Sequence, residues 1–293
     1  MTRADRAPVV SVVTPSFARV DLVRRKLAAL ARQTAGPERL EVLLVDNACP
    51  DGVGDAVAAA TWPFALRVLR SDRRISAAAA RAWAGAEARG RWLWWSDDDA
   101  VPDDDALAAH LAVQARRPGV TIGSIRFVTD DGTTSWRPRR AGPAQFTGVN
   151  TVFPRAAWAR VARDLLPLPR PYGGEDTVVA LALRADGVPF ADARDAWVEH
   201  HGPLPAAGGD PAKGFDAGFN AAVIAGRFPR AAWSLGVHPL QRLAKRAALA
   251  GPWDAVWSRV APRRQAFERA YLEGERAARR ASRGPQPDPE APG

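Results

Sequence analysis

Four short, mostly apolar runs alternate with three helical stripes in the first 96 residues, and that alternation constrains the chain more than any other feature. Pro8-Val-Val-Ser-Val-Val-Thr-Pro-Ser16 reads as a β-branched, buried strand stopped by a proline. Glu41-Val-Leu-Leu-Val-Asp46 reads as a second strand, closed by the turn chemistry of Asn47-Ala-Cys-Pro-Asp-Gly52. Ala65–Leu69 and Arg91-Trp-Leu-Trp-Trp-Ser96 follow as the third and fourth. Between them, apolar residues recur at helical spacing over Asp21–Arg32, Gly54–Ala60 and about Ser76–Arg89. Strands that are hydrophobic without alternation are buried on both faces, and strand–helix–strand order makes neighbours parallel. The pattern predicts an α/β fold with a parallel sheet between helical layers.

Beyond Asp99 the pattern is less regular. A helix is expected over Asp103–Arg116, a strand over Val120–Val128 and a tight turn at Asp130-Asp-Gly132. Phe146–Phe153 reads as a strand, Arg155–Arg163 and Glu175–Asp186 as helices, with Phe190 and Ala196–Val198 closing the sheet edge before His200. Gly214–Ala225, Gln241–Ala250 and Ala261–Arg280 look helical, and Gly284–Gly293, with four prolines, is expected to be disordered. These readings divide the chain into an α/β domain over 1–226, a helical basic extension over 227–283 and a tail over 284–293.

Composition enters as a set of exclusions. With 47% hydrophobic residues in 293, the chain has material for a core and is not a disordered or fibrous protein. The one cysteine, Cys49, excludes an internal disulfide and a cysteine-rich zinc site. No run reaches the roughly 18 apolar residues of a membrane span, and Val9–Val13 is too short for a signal peptide's apolar region. A soluble protein of a reducing compartment, the cytoplasm, is expected. The net charge of +9 is local: from Arg227 onward 13 Lys+Arg face 6 Asp+Glu, while the first 226 residues are nearly balanced. No basic run is interleaved with aromatics that stack bases, so no nucleic-acid partner is expected.

In open parallel sheets ligands bind beyond the carboxyl ends of the strands. Asp46 and Asp97–Asp99 sit at such ends, and Glu175-Asp176 follows later behind Gly173-Gly174. Taken singly, each has an ordinary explanation as a cap, a solvated loop or a favourable helix N-terminus. Gathered at one edge, these carboxylates would repel each other unless a cation, or a phosphate-bearing ligand's metal, sat among them.

The ordered motifs Val-Ser-Val-Val-Thr-Pro-Ser-Phe17, Leu-Leu-Val-Asp-Asn47 with Asp51-Gly52, Trp-Trp-Ser-Asp-Asp-Asp99 and Gly-Gly-Glu-Asp176 resemble those of the large inverting glycosyltransferase family called family 2. The resemblance runs from about Val9 to His201. It implies the nucleotide-binding α/β sandwich known as GT-A, with a mostly parallel central sheet, and a helical basic C-terminal extension outside the match. By resemblance, Thr14 and Pro15 end the first strand beside the nucleotide, and Asp46 is similar to the aspartate that hydrogen-bonds uracil. Asp97 and Asp99 match the ends of an Asp-x-Asp motif. Asp99 is the preferred ligand of Mn²⁺ or Mg²⁺, Asp97 lies nearer the ribose, and Asp98 is grouped with the nucleotide-sugar contacts. A nucleoside diphosphate leaving group gathers negative charge that such an ion neutralises. Asp176 matches the family's general base, with Glu175 as second choice. His200 resembles a late histidine that completes the metal shell in some members, and adjacent His201 is the other candidate.

Two departures stand out. The arginine usually assigned to the donor is missing at Ala79, with Arg73, Arg74 and Arg81 nearby as substitutes. Asn47 replaces an aspartate common in the family, which leaves uridine and thymidine open as the base. Trp92, Trp94 and Trp95 are expected in the core, whereas Trp136 and Trp158 could stack on a sugar or aglycone. His110 and His238 have no motif around them. The resemblance therefore implies a metal-dependent inverting transfer of a sugar from UDP or dTDP to a hydroxyl of a glycan, a lipid-linked glycan or a natural product. The alternative is a degenerate sugar-nucleotide-binding partner protein. A sugar-nucleotide pyrophosphorylase is disfavoured, because Thr14-Pro-Ser-Phe-Ala18 is not a glycine-rich triphosphate loop. In the extension, Leu240, Leu243, Ala244, Ala247 and Ala248 recur at helical spacing among Arg242, Lys245 and Arg246, with Trp253 and Trp257 beyond. Such a stretch can lie on an anionic membrane surface, at the inner face of the membrane, or can pack its apolar face on the catalytic domain.

Overall fold

The computed structural model describes residues 7–130, 132–162, 168–201, 210–250, 256 and 261–282. The chain divides into two compact units: Met1–Pro167 with Glu175–Leu204, and Leu168–Gly174 with Pro205–Gly293.

The first unit is built on β1 (Val10–Ser16), α1 (Val20–Ala31), β2 (Leu40–Asn47), α2 (Val53–Ala58), β3 (Ala65–Ser71), α3 (Ala77–Glu87) and β4 (Trp92–Trp95). The four strands lie in the order β3-β2-β1-β4, and every pair among them is parallel. All eight residues of β2 are buried, as an unalternating hydrophobic run requires. Glu41, at its start, is satisfied inside: Ser11 Oγ (2.5 Å), Arg89 N (2.5 Å) and Gly90 N (3.1 Å) donate to its Oε1. A buried carboxylate would otherwise be costly. Here it fastens the α3–β4 turn to β1 and β2.

After β4 come β5 (Ala100–Pro102), α4 (Ala106–Arg116), β6 (Val120–Thr129), β7 (Gly132–Trp136), β8 (Thr151–Pro154), α5 (Arg155–Val161), α6 (Glu175–Ala185) and β9 (Phe190–His201). The sheet continues β4-β8-β6-β9-β5, with β7 paired to β6 off this path. β6 and β9 are parallel, whereas β8 and β5 run antiparallel to their neighbours. Two strands escape the sequence reading. β5 has three residues, and β7 is exposed almost throughout, so neither carries a hydrophobic run. The strand expected from Phe146 begins only at Thr151. Asn150, just before it, is fully buried: its backbone O accepts Gly123 N at 2.9 Å, its Nδ2 donates to Ser124 O and Ala196 O, and its Oδ1 lies 3.0 Å from Trp94 Nε1 and 2.9 Å from His110 Nε2. His110 belongs to this core network, and burial pushes its imidazole down to about 4, so it stays neutral.

The second unit contains α7 (Pro211–Arg227), α8 (Pro239–Ala248) and α9 (Pro262–Ala281). α7 and α9 touch backbone to backbone. A Cβ at Gly218 would lie 2.0 Å from Tyr271 O, and one at Gly274 2.0 Å from Phe215 O. Only glycine permits that approach. On α8 two of the three charged residues are paired: Arg242 Nε is 2.6 Å from buried Glu275, and Lys245 Nζ 2.9 Å from Glu268, both on α9, while Arg246 is exposed. Leu240 (64%) and Leu243 (67%) are exposed instead. Trp253, Trp257 and the 284–293 tail lie outside the described residues. The sequence reading set its domain boundary after 226, and α7 groups here with the second unit. Among the described residues, no helix is long and apolar enough to cross a membrane.

Candidate active site

The carboxyl ends of β2, β1 and β4 lie side by side, and the acidic motifs follow from that placement. Beyond β4 the chain turns tightly, with Ala100 N donating to Asp97 O at 3.0 Å, so Asp97, Asp98 and Asp99 occupy one turn before β5. β9 pairs with β5 so that His200 stands opposite Ala100, and His201 N donates to Asp99 O at 2.8 Å. Asp97, Asp99 and His200 thus converge, with one ligand atom from each all within 4.8 Å of one another. His200 Nε2 is 3.4 Å from Asp99 Oδ1. The His201 ring points elsewhere, with Nε2 3.2 Å from Glu199 and 3.4 Å from Arg25.

Three cations are built into the acidic cluster. Arg81, buried on α3, donates to Asp97 Oδ1 (2.5 Å) and Glu175 Oε1 (3.1 Å) and lies 3.9 Å from Asp176 Oδ1. Burial works against its charge, but Asp97, Asp176 and Glu175 together outweigh that and hold the guanidinium above its ordinary value. Of the three arginines weighed as substitutes at Ala79, this is the one in the cluster; Arg74 lies over the Phe17 ring, 4.0 Å from its centroid. Arg19, in the β1–α1 loop, pairs with Asp99 and lies 3.9 Å from Asp98. Lys26, on the buried face of α1, reaches the backbone beneath the acidic turn. Burial lowers its ammonium to about 7, with Asp97, Asp98 and Asp99 opposing the fall.

The carboxyl groups respond to the same surroundings. Burial raises Asp98 to about 6, against the Phe17 N–H that donates to it at 3.1 Å. Asp176 opens α6 and accepts Gly148 N at 2.9 Å on Oδ2. Its Oδ1 is buried with no hydrogen-bond partner among the described residues, although 34% of the side chain is accessible. Burial lifts this carboxyl to about 7, Arg81 opposes, and Glu175 and Asp97 add to the rise.

The remaining predicted residues hold different positions. Thr14 is buried and donates to Ser96 O at 3.0 Å, tying β1 to the acidic turn, and Pro15 beside it is half-buried. Asp46 accepts Cys49 N at 3.0 Å and lies 3.6 Å from Arg70. Asn47 is engaged with the backbone of Ile75, donating to its O (2.9 Å) and accepting its N–H (2.8 Å). Trp158 is buried edge-on against Trp95 and is a core residue, not a sugar platform. Sequence reasoning passed over Lys26 and Arg19. For Lys26 a signal existed, a lysine within the apolar stripe of α1; for Arg19, in a loop, there was none.

The donor set fits a divalent cation. Oxygen and imidazole ligands suit Mn²⁺ and Mg²⁺. Asp99 Oδ1 is buried without a hydrogen-bond partner among the described residues and lies 3.4 Å from His200 Nε2, an arrangement that an ion would relieve.

The chain resembles known glycosyltransferases in both sequence and fold. It is 25% identical over 236 residues to validoxylamine A glucosyltransferase of Streptomyces hygroscopicus subsp. limoneus, covering 65% of this chain and 51% of that protein. It is 28% identical over 163 residues to the O-antigen biosynthesis protein RfbC of Myxococcus xanthus, covering 52% of this chain and 13% of that one. The chain spans about half the length of the first of these relatives and much less of the second. The fold matches mannosyltransferase PcManGT from Pyrobaculum calidifontis, solved with GDP-Man and Mn²⁺, at a TM-score of 0.62 and 20% identity over 92% of this chain and 88% of that one. It also matches S. aureus TarS 1-349 with UDP-GlcNAc at 0.61 and 16% identity, over 93% and 92%. The fold is therefore the GT-A sandwich. The family model for glycosyl transferase family 2 matches residues 11–168, and the chain belongs to that family.

Proposed function

We propose that the protein is a divalent-cation-dependent inverting glycosyltransferase, moving a sugar from a UDP or dTDP donor to an acceptor hydroxyl on a glycan, a lipid-linked glycan or a natural product. The observation that carries this reading is Asp176: an unpartnered buried oxygen on a carboxyl raised toward neutrality, joined through Arg81 to Asp97 of the acidic turn. A base poised near the working pH is what abstraction of a hydroxyl proton requires. Asp97, Asp99 and His200 would hold Mn²⁺ or Mg²⁺, which when bound neutralises the charge that gathers on the departing diphosphate. Asp46, Asp98, Thr14 and Pro15 would line the nucleotide side. Asp176 takes the proton from the acceptor hydroxyl as its oxygen bonds to the anomeric carbon. The bond from that carbon to the diphosphate oxygen breaks, and its electron pair leaves with the nucleotide. One displacement from the opposite face inverts the centre. Arg81 keeps Glu175 and Asp97 oriented beside the base. Relatives solved with GDP-Man and Mn²⁺ or with UDP-GlcNAc support donor and metal classes of this kind.

The domain plan remains part of the proposal, with the helical extension acting beyond the catalytic sandwich. The outward leucines of α8, with exposed Arg246 on the same helix, favour peripheral contact with an anionic lipid surface. The degenerate-partner reading rested on a missing arginine, and Arg81 in the cluster weighs against it.

A donor panel with and without Mn²⁺, scored by nucleoside diphosphate release, tests the assignment. Asp176→Asn should keep donor binding while turnover falls at least ~10²-fold, the low end for loss of a general base. Near-normal turnover would move the base elsewhere. Neither release nor a thermal shift with any donor would favour the degenerate protein.

A further inference from the structure

Lys26 is the one fully buried lysine among the described residues, with 0% of its surface accessible. It occupies the face of α1 shared by Val23, Leu27 and Leu30, where the helical period calls for an apolar side chain. Its ammonium donates to Ser96 Oγ (2.5 Å), Asp97 O (2.8 Å) and Ser96 O (3.0 Å), with Ala100 O at 3.3 Å. Every one of these acceptors is a carbonyl or a hydroxyl of the acidic turn and its first flanking residues. Arg19 and Arg81 approach the carboxylates themselves; Lys26 approaches the backbone that displays them.

Three consecutive carboxylates repel one another, and a turn that carries them tends to splay. A cation gripping the carbonyls on either side, from inside the core, opposes that without taking a carboxylate oxygen. We infer that Lys26 is a positioning residue for the cation site: it fixes the turn from which Asp97 and Asp99 meet His200, and leaves their oxygens to a divalent ion. The inference rests on the cation-dependent reading given above.

The sign of one measurement separates this role from simple charge balance. If Lys26 were only a nearby positive charge, removing it would strengthen cation binding by relieving repulsion. If it holds the turn, removing it weakens binding. Mn²⁺ alone is titrated into the full chain by calorimetry, for wild type, Lys26→Met and Ser96→Ala, with circular dichroism confirming the fold. Lys26→Met should raise the Mn²⁺ dissociation constant at least ~10-fold, as expected when a group orienting metal ligands is lost. Ser96→Ala, which keeps the charge and removes one acceptor, should raise it less, by roughly 2- to 3-fold on the same reasoning. The Mn²⁺ concentration for half-maximal turnover should rise in parallel, with saturating Mn²⁺ restoring turnover. Unchanged or tighter Mn²⁺ binding in Lys26→Met overturns the inference while leaving the cation reading intact. If that variant does not fold, Ser96→Ala decides: unchanged binding overturns the inference. A wild type that binds no Mn²⁺ removes the cation reading and this inference with it.

Discussion

Asp98 holds its proton more tightly in the fold than in the open chain, because the buried turn disfavours its charge. Its carboxyl is raised to about 6, so any stability that rests on the protonated form is present at low pH and lost as pH climbs through that value. Asparagine does not titrate and can still accept the Phe17 N–H. Asp98→Asn should therefore leave the melting temperature near wild type at pH 4 and raise it relative to wild type above pH 6. Melting curves of the cation-free chain across pH 4–8 check this, and a constant difference between the two proteins would remove burial as the cause. At this scale the sequence showed the acidic residues because each sits at a strand end or a helix start. It showed the cations poorly. Arg81 meets Glu175 across 94 positions of chain, and helical spacing gives the face a residue occupies but not its partner there.

Helix α8 reverses the usual allocation, with Arg242 and Lys245 turned toward acids of α9 and Leu240 and Leu243 turned out. If that face meets an anionic lipid surface, full-length protein should co-sediment with anionic vesicles at low salt and release as screening rises. The double change Leu240→Ser with Leu243→Ser should abolish the association without altering turnover on a soluble acceptor. Sedimentation equal to wild type would show that the leucines face something other than lipid. The helical period of α8 was readable in advance, but its orientation was not. Which face turns inward depends on Glu268 and Glu275, more than twenty residues away. Strands β1, β2 and β4 were readable because burial on both faces leaves an unalternating apolar run. β5 and β7 lacked that signature.

For the molecule as a whole, a ligand that binds only the folded chain adds stability in proportion to the logarithm of its excess. Mn²⁺ with a nucleoside diphosphate at about 100 times the dissociation constant adds about 2.7 kcal/mol. For a chain of this size that corresponds to a rise of roughly 5–10 °C in the transition of the unit that binds it. Asp99→Ala should lose most of that rise, and an equal rise in the variant would take Asp99 out of the cation site. The acidic cluster also has a consequence for how the ion enters. Asp97, Asp98, Asp99, Glu175 and Asp176 face three resident cations, Arg19, Lys26 and Arg81, which leaves a formal deficit of two positive charges. Asp98 and Asp176, whose carboxyls burial raises to about 6 and about 7, cover that deficit with protons only below about pH 6, where Lys26 also keeps its charge. Below that pH the unloaded cluster is a proton store, and a divalent ion entering it would displace hydrogen ions into solvent.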